Sequence, residues 1–163
     1  TERMKAVTIK QLKDELSHVS ANDIKQLCLH LARFKKENKE LLTYLLFESH
    51  DEESFIQNLK EKVDLEFEDI NTNSFFYIRK STRKILSSIK KHIRYSKKKE
   101  TEAELLLYFC KKLKTFKPSI ARSTRLQNIF DTQVRMIKKA IEKLHEDLQY
   151  DFQLELDELL ENE

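Results

Sequence analysis

One spacing used in metal chemistry occurs twice in this chain. Glu15 precedes His18 by three positions, and Glu142 precedes His145 by three. Di-metal carboxylate sites in helical bundles combine two such Glu-x-x-His pairs with one Glu from each of two further helices, all turned inward. Glu48 and Glu104, at the borders of apolar stretches, could complete the set. Two considerations count against it. Five His and nineteen Glu in 163 residues place roughly 0.6 such pairs by chance. Each pair also lies well off the apolar stripe of its own helix, so the side chains are expected to face water. A di-metal carboxylate enzyme is the remote alternative, and no bound metal is expected.

Nucleophile chemistry has less support. Cys28 and Cys110 sit in apolar helical stretches with no CxxC or Cys/His spacing, which reads as two reduced core thiols. Ser81, Ser87 and Ser88 ride on a basic helix with no glycine-built oxyanion turn nearby. The chain contains no glycine and a single proline, Pro118. Tight hairpin turns, bulges and phosphate-cradling loops lean on glycine, so a β-rich fold or a phosphate-loop enzyme is a poor fit. No catalytic activity and no cofactor are expected.

The elements that remain are helices. Thr8 with Gln11 forms a capping box for a first helix to about His18, and a second runs from about Asn22 to Lys35 with Ile24, Leu27, Cys28, Leu31 and Phe34 on one face. A third, from about Asn38 to Glu48, is apolar around nearly its whole circumference and is expected to be the central, buried helix. Ser49 with Glu52 caps a fourth to about Phe67, and Asn71 to Ser74 breaks the chain. A long fifth helix spans about Phe75 to Tyr95, Thr101 with Glu104 caps a sixth, and a last begins by about Ser123, with a break near Tyr150. In that last helix Phe130, Gln133, Ile137, Ala140 and Leu144 form a seam that would dock on the sixth helix or, if exposed, join two copies.

About seven helices follow, in a single all-α domain over residues 1–163, with Thr1 to Arg3 a remnant ahead of a native start at Met4. ELLTYLLFE from Glu40 aligns with ELLLYFCKK from Glu104, and the preceding helices match at Ile24 with Ile85, Cys28 with Ile89, Arg33 with Arg94 and Phe34 with Tyr95. Stacked antiparallel helical hairpins, α-solenoid-like as in HEAT or armadillo units, would produce this echo. A plain helix bundle is the alternative. The segments KKENKELLTYLLFESHDEE, KHIRYSKKKETEAELLLYFCKKL and LHEDLQYDFQLELDEL together resemble a family of small, uncharacterised, all-helical bacterial proteins. The resemblance supports the fold class and implies no activity, cofactor or site residue.

Charge is strongly segregated. Overall the chain carries +3, yet residues 79–117 hold fourteen Lys and Arg against Glu100, Glu102 and Glu104. Residues 37–70 hold eleven acids against three lysines, and residues 142–163 hold nine acids against Lys143. On the fifth helix Arg79, Lys80, Arg83, Lys84, Lys90, Lys91 and Arg94 share one face, with Phe76 projecting among them, and Lys97, Lys98 and Lys99 extend it into the following turn. Such a face can be covered by the acidic segments of the same chain or of a dimer mate, or it can bind an outside anion. The expected role is a binding or scaffold module that takes an acidic protein partner on this face. Sequence-nonspecific nucleic-acid binding, with Phe76 stacking a base, is the alternative. No stretch approaches the length of a membrane span, so a cytoplasmic monomer or homodimer is expected.

Overall fold

The computed structural model describes residues 4–161; Thr1 to Arg3, read above as a remnant, lie outside the described residues. Among the described residues there are eight α-helices and no strand. These residues divide into two compact units, one ending at Leu46 and the other beginning at Phe47.

The first unit contains α1 (Ile9–Leu16), α2 (Ala21–Phe34) and α3 (Lys36–Thr43). Thr8 and Gln11 close the expected capping box, with the Gln11 amide donating to Thr8 Oγ1 at 3.2 Å and the Thr8 amide donating to Gln11 Oε1 at 2.9 Å. Ser20 caps α2 through the Asp23 amide. The helices α2 and α3 pack together, and the Asn38 side-chain amide donates to the Leu31 carbonyl at 2.8 Å across their junction.

Two expectations fail here. No residue of α1, α2 or α3 is buried, and Cys28 is half-buried, not a core thiol. The stretch expected to be the central buried helix instead leaves α-geometry at Tyr44 for a π-helical turn, Tyr44–Glu48, in which Tyr44 is buried while Leu45, Leu46 and Phe47 are exposed. A helix apolar on all sides becomes central only when neighbours surround it, and within its unit α3 has only α2 packed closely against it.

The second unit supplies such neighbours to a different helix. It contains α4 (Glu52–Glu68), α5 (Phe75–Ser96), α6 (Lys99–Thr115), a 3-10 turn (Ile120–Arg122), α7 (Thr124–Glu142) and α8 (Glu146–Leu160). The helix α6 packs against α4, α5, α7 and α8, and Leu105, Leu106 and Leu107 are each buried although they point in three directions. Full burial of each such leucine contributes about 1.5–3 kcal/mol. The seam on α7 docks on α6, burying Phe130, Gln133, Ile137 and Ala140. The two segments of the sequence echo therefore differ in burial: ELLLYFCKK forms the middle of α6, and ELLTYLLFE is mostly accessible.

Several boundaries also move. Asp51, not Ser49, caps α4, accepting from the Ser54 amide at 3.2 Å. The helix α6 begins two residues before Thr101, which leaves Thr101 free to donate across to Glu52 and Glu104 to accept from Lys60. The C-terminal break falls at Lys143 to His145, ahead of the expected Tyr150. Ser74 and Ser123 cap α5 and α7 as local sequence suggests.

Candidate binding groove

Burial of Ile78, Thr82, Ile85, Leu86, Ile89 and Ile93 fixes the rotation of α5 and turns its basic residues outward. The helix ends at Lys97, whose backbone takes the left-handed conformation at φ 62°, and α6 starts two residues later. This tight reversal brings the cations at the end of α5 beside those at the start of α6.

Between α5 and α7, with α6 beneath, lies a groove of about 920 Å³. Arg83, Lys90, Arg94 and Lys97 from α5 and Lys99 from α6 line it with positive charge. Leu86, Ile93, Leu106 and Met136 form its apolar lining. Only Lys99 has an acidic partner there, Glu102 at 3.0 Å. Among the described residues no ion pair involves Arg83, Lys90, Arg94 or Lys97.

The acidic helices of the same unit are engaged elsewhere. From α4, Asp64 lies 3.1 Å from Lys112, and Glu52 accepts hydrogen bonds from Ser96 at 2.5 Å and Thr101 at 2.8 Å. Lys60 of α4 pairs with Glu104 at 2.9 Å, and Glu155 of α8 reaches Lys111 at 4.0 Å. A smaller cavity of about 260 Å³ beside α6 and α8 is lined by both signs of charge, including Lys60, Glu104, Lys111 and Glu155. Its lining is net acidic, with Lys60 and Lys111 against Glu100, Glu104, Asp151 and Glu155, whereas the larger groove holds its five cations against Glu102 alone.

The structure brings five of the ten cations singled out in the sequence together in the groove. Arg83, Lys90, Arg94, Lys97 and Lys99 line the groove. Lys98 turns toward Glu52, 3.9 Å away. Lys80 and Lys84 are exposed outside the lining, Lys91 is half-buried, and Arg79 lies over the Phe76 ring at 5.8 Å. Partial desolvation, followed by repulsion from Arg125 and Arg83, holds the Arg79 guanidinium below the usual arginine range. Arg125 and Met136 on α7 escape sequence reasoning because nothing local to α7 announces that α5 flanks the same side of α6.

The other candidate chemistries are dispersed. Glu15 and His18 are exposed on the first unit, and Glu142 and His145 are exposed on the second. Among the described residues no three His, Cys, Asp or Glu side chains converge as a metal site. Cys110 is fully buried, and burial, reinforced by Asp131, pushes its thiol up to about 12, which keeps it protonated and a poor nucleophile. No helix among the described residues is long and apolar enough to cross a membrane.

No family model matches the chain, and no curated protein or solved structure matches it. The likeness carried by the three quoted segments thus extends to all-helical character and no further.

Proposed function

We propose that this chain is a non-enzymatic binding module whose groove takes an acidic, amphipathic helix of a partner protein. The carrying observation is the combination of an apolar lining with four cations along its edge, Arg83, Lys90, Arg94 and Lys97, that form no ion pair among the described residues. Helix-in-groove recognition needs both parts: apolar anchors at i, i+3 and i+4 enter the lining, and flanking carboxylates meet the edge. A phosphodiester track would use the cations and leave the apolar lining without a partner. The two free thiols fit the reducing setting of the cytoplasm. The α5–α6 hairpin, packed on α7, is the part of the fold that suits a HEAT-like stacked-hairpin description.

Nucleic acid is the second reading, favoured by Phe76, which is 57% exposed and lies beneath Arg79. Fluorescence anisotropy separates the two. A designed Leu/Glu amphipathic peptide and single-stranded RNA of similar length are titrated with the protein at low and moderate salt, using wild type, Arg83→Glu with Arg94→Glu, and Met136→Glu. The peptide is expected to bind at micromolar concentration, to retain affinity in salt, and to be lost on Met136→Glu. Tighter RNA binding with a log–log salt slope of about −3.5, as engagement of all five groove cations would give on a single strand, together with indifference to Met136→Glu, overturns the proposal in favour of nucleic acid.

A further inference from the structure

We infer that the head of the groove, where α5 and α7 begin, is a phosphate-binding cluster formed by Arg79, Arg83, Arg122 and Arg125, and that it takes a phosphomonoester carried by the acidic chain in the groove. This rests on the groove reading for the partner, but the cluster stands on geometry of its own. The Arg122 guanidinium carbon lies 5.7 Å from the Phe75 ring centroid, which brings the 3-10 turn just ahead of α7 against the start of α5. Arg79 lies over Phe76 at 5.8 Å. A guanidinium laid on an aromatic face is restrained, yet its N–H edges stay available for a bidentate acceptor.

Phe75, Arg79 and Arg83 follow one another at four-residue intervals, so they occupy neighbouring positions along one side of α5. Arg125 and Arg83 are near enough to Arg79 for their charges to disfavour its protonation. Among the described residues none of the four arginines has an ion pair. A carboxylate neutralises one such charge. A phosphomonoester brings close to two negative charges and three acceptor oxygens, and so matches several converging guanidinium groups better. Ahead of it the apolar lining begins, which a continuous phosphodiester chain would not use.

The test follows the arginine side-chain N–H resonances of the full chain by NMR during titration with inorganic phosphate, with acetate at matched ionic strength as the control. Phosphate is expected to shift Arg79, Arg83, Arg122 and Arg125 saturably, and acetate is not. Exposed Arg125 changed to Gln is expected to weaken phosphate at least about fivefold. Lys90→Gln with Arg94→Gln weakens the Leu/Glu peptide while sparing inorganic phosphate, so the head and the groove fail separately if either is wrong. A phosphoserine at one end of that peptide should tighten it about tenfold in wild type and at most about twofold in Arg125→Gln. Equal shifts from acetate, or phosphate affinity untouched by Arg125→Gln, overturn the cluster. Single-stranded RNA that displaces the phosphopeptide at lower concentration than inorganic phosphate overturns the assignment of the partner.

Discussion

The Tyr108 hydroxyl on α6 donates to the Asp64 carboxylate on α4, and Lys112, one turn further along α6, lies 3.1 Å from the same carboxylate. Desolvation and then this hydrogen bond push Tyr108 up to about 12, while the hydrogen bond from Tyr108, aided by Lys112, lowers Asp64 despite partial desolvation. The two shifts act at opposite ends of the pH scale. A raised Tyr108 stabilises the fold below its unfolded value, near 10, and that contribution is lost as pH rises toward 12. A lowered Asp64 stabilises the fold above the unfolded carboxylate value, about 4, and that contribution is lost as pH falls through the folded value. Tyr108→Phe is expected to cost about 1 kcal/mol at neutral pH, to move the acid limb upward and to shrink the alkaline limb to what Cys110 contributes. Urea unfolding across pH 3 to 11 measures this; an alkaline limb identical to that of wild type would show that Tyr108 is not its source.

Local signals were the ones legible in the sequence. Thr8 with Gln11, Ser74 and Ser123 each sit beside the amides they cap, so the starts of α1, α5 and α7 follow from a few adjacent residues. Ser49 and Asp51 are both acceptable caps two residues apart, and only the chain path selects Asp51 for the start of α4. Thr101 has the sequence of a cap, yet its hydroxyl serves Glu52, a residue 49 positions earlier. Burial likewise depends on residues far away in sequence. The apolar strings at Glu40 and Glu104 are nearly alike, and what distinguishes them is how many helices surround each. The basic lip of the groove on α5 could be read from helical periodicity, but Met136 joins it only through the packing of α5 and α7 on α6.

Gln133 is buried in the α7 seam with 2% of its surface accessible, and its Oε1 has no hydrogen-bond partner. An unsatisfied buried amide costs about 1–3 kcal/mol relative to a satisfied one, whereas an apolar side chain of similar length has nothing to satisfy. Gln133→Met is therefore expected to stabilise the protein by about 1 kcal/mol, with binding at the groove unchanged. The urea midpoint reports this directly. A lower midpoint would mean that the amide has a partner in solution, such as an ordered water.

Lys97 holds the left-handed position that closes α5, at φ 62°, in a chain without glycine. A side chain bearing Cβ pays about 1–2 kcal/mol in that region, which glycine does not. Part of the gain from glycine is returned through the greater entropy of the unfolded chain. Lys97→Gly is thus expected to raise stability by about 0.5–1 kcal/mol. Because Lys97 also lines the groove, the same change removes one of its cations. Stability should rise while affinity for the Leu/Glu peptide falls by about two- to fivefold, mostly at low salt. Lys97→Asn, which tolerates the left-handed conformation and lacks the charge, should move both quantities in the same directions by smaller and similar amounts respectively. If either variant bound the peptide as tightly as wild type at low salt, Lys97 would owe its place solely to the turn, and the electrostatic lip would end at Arg94.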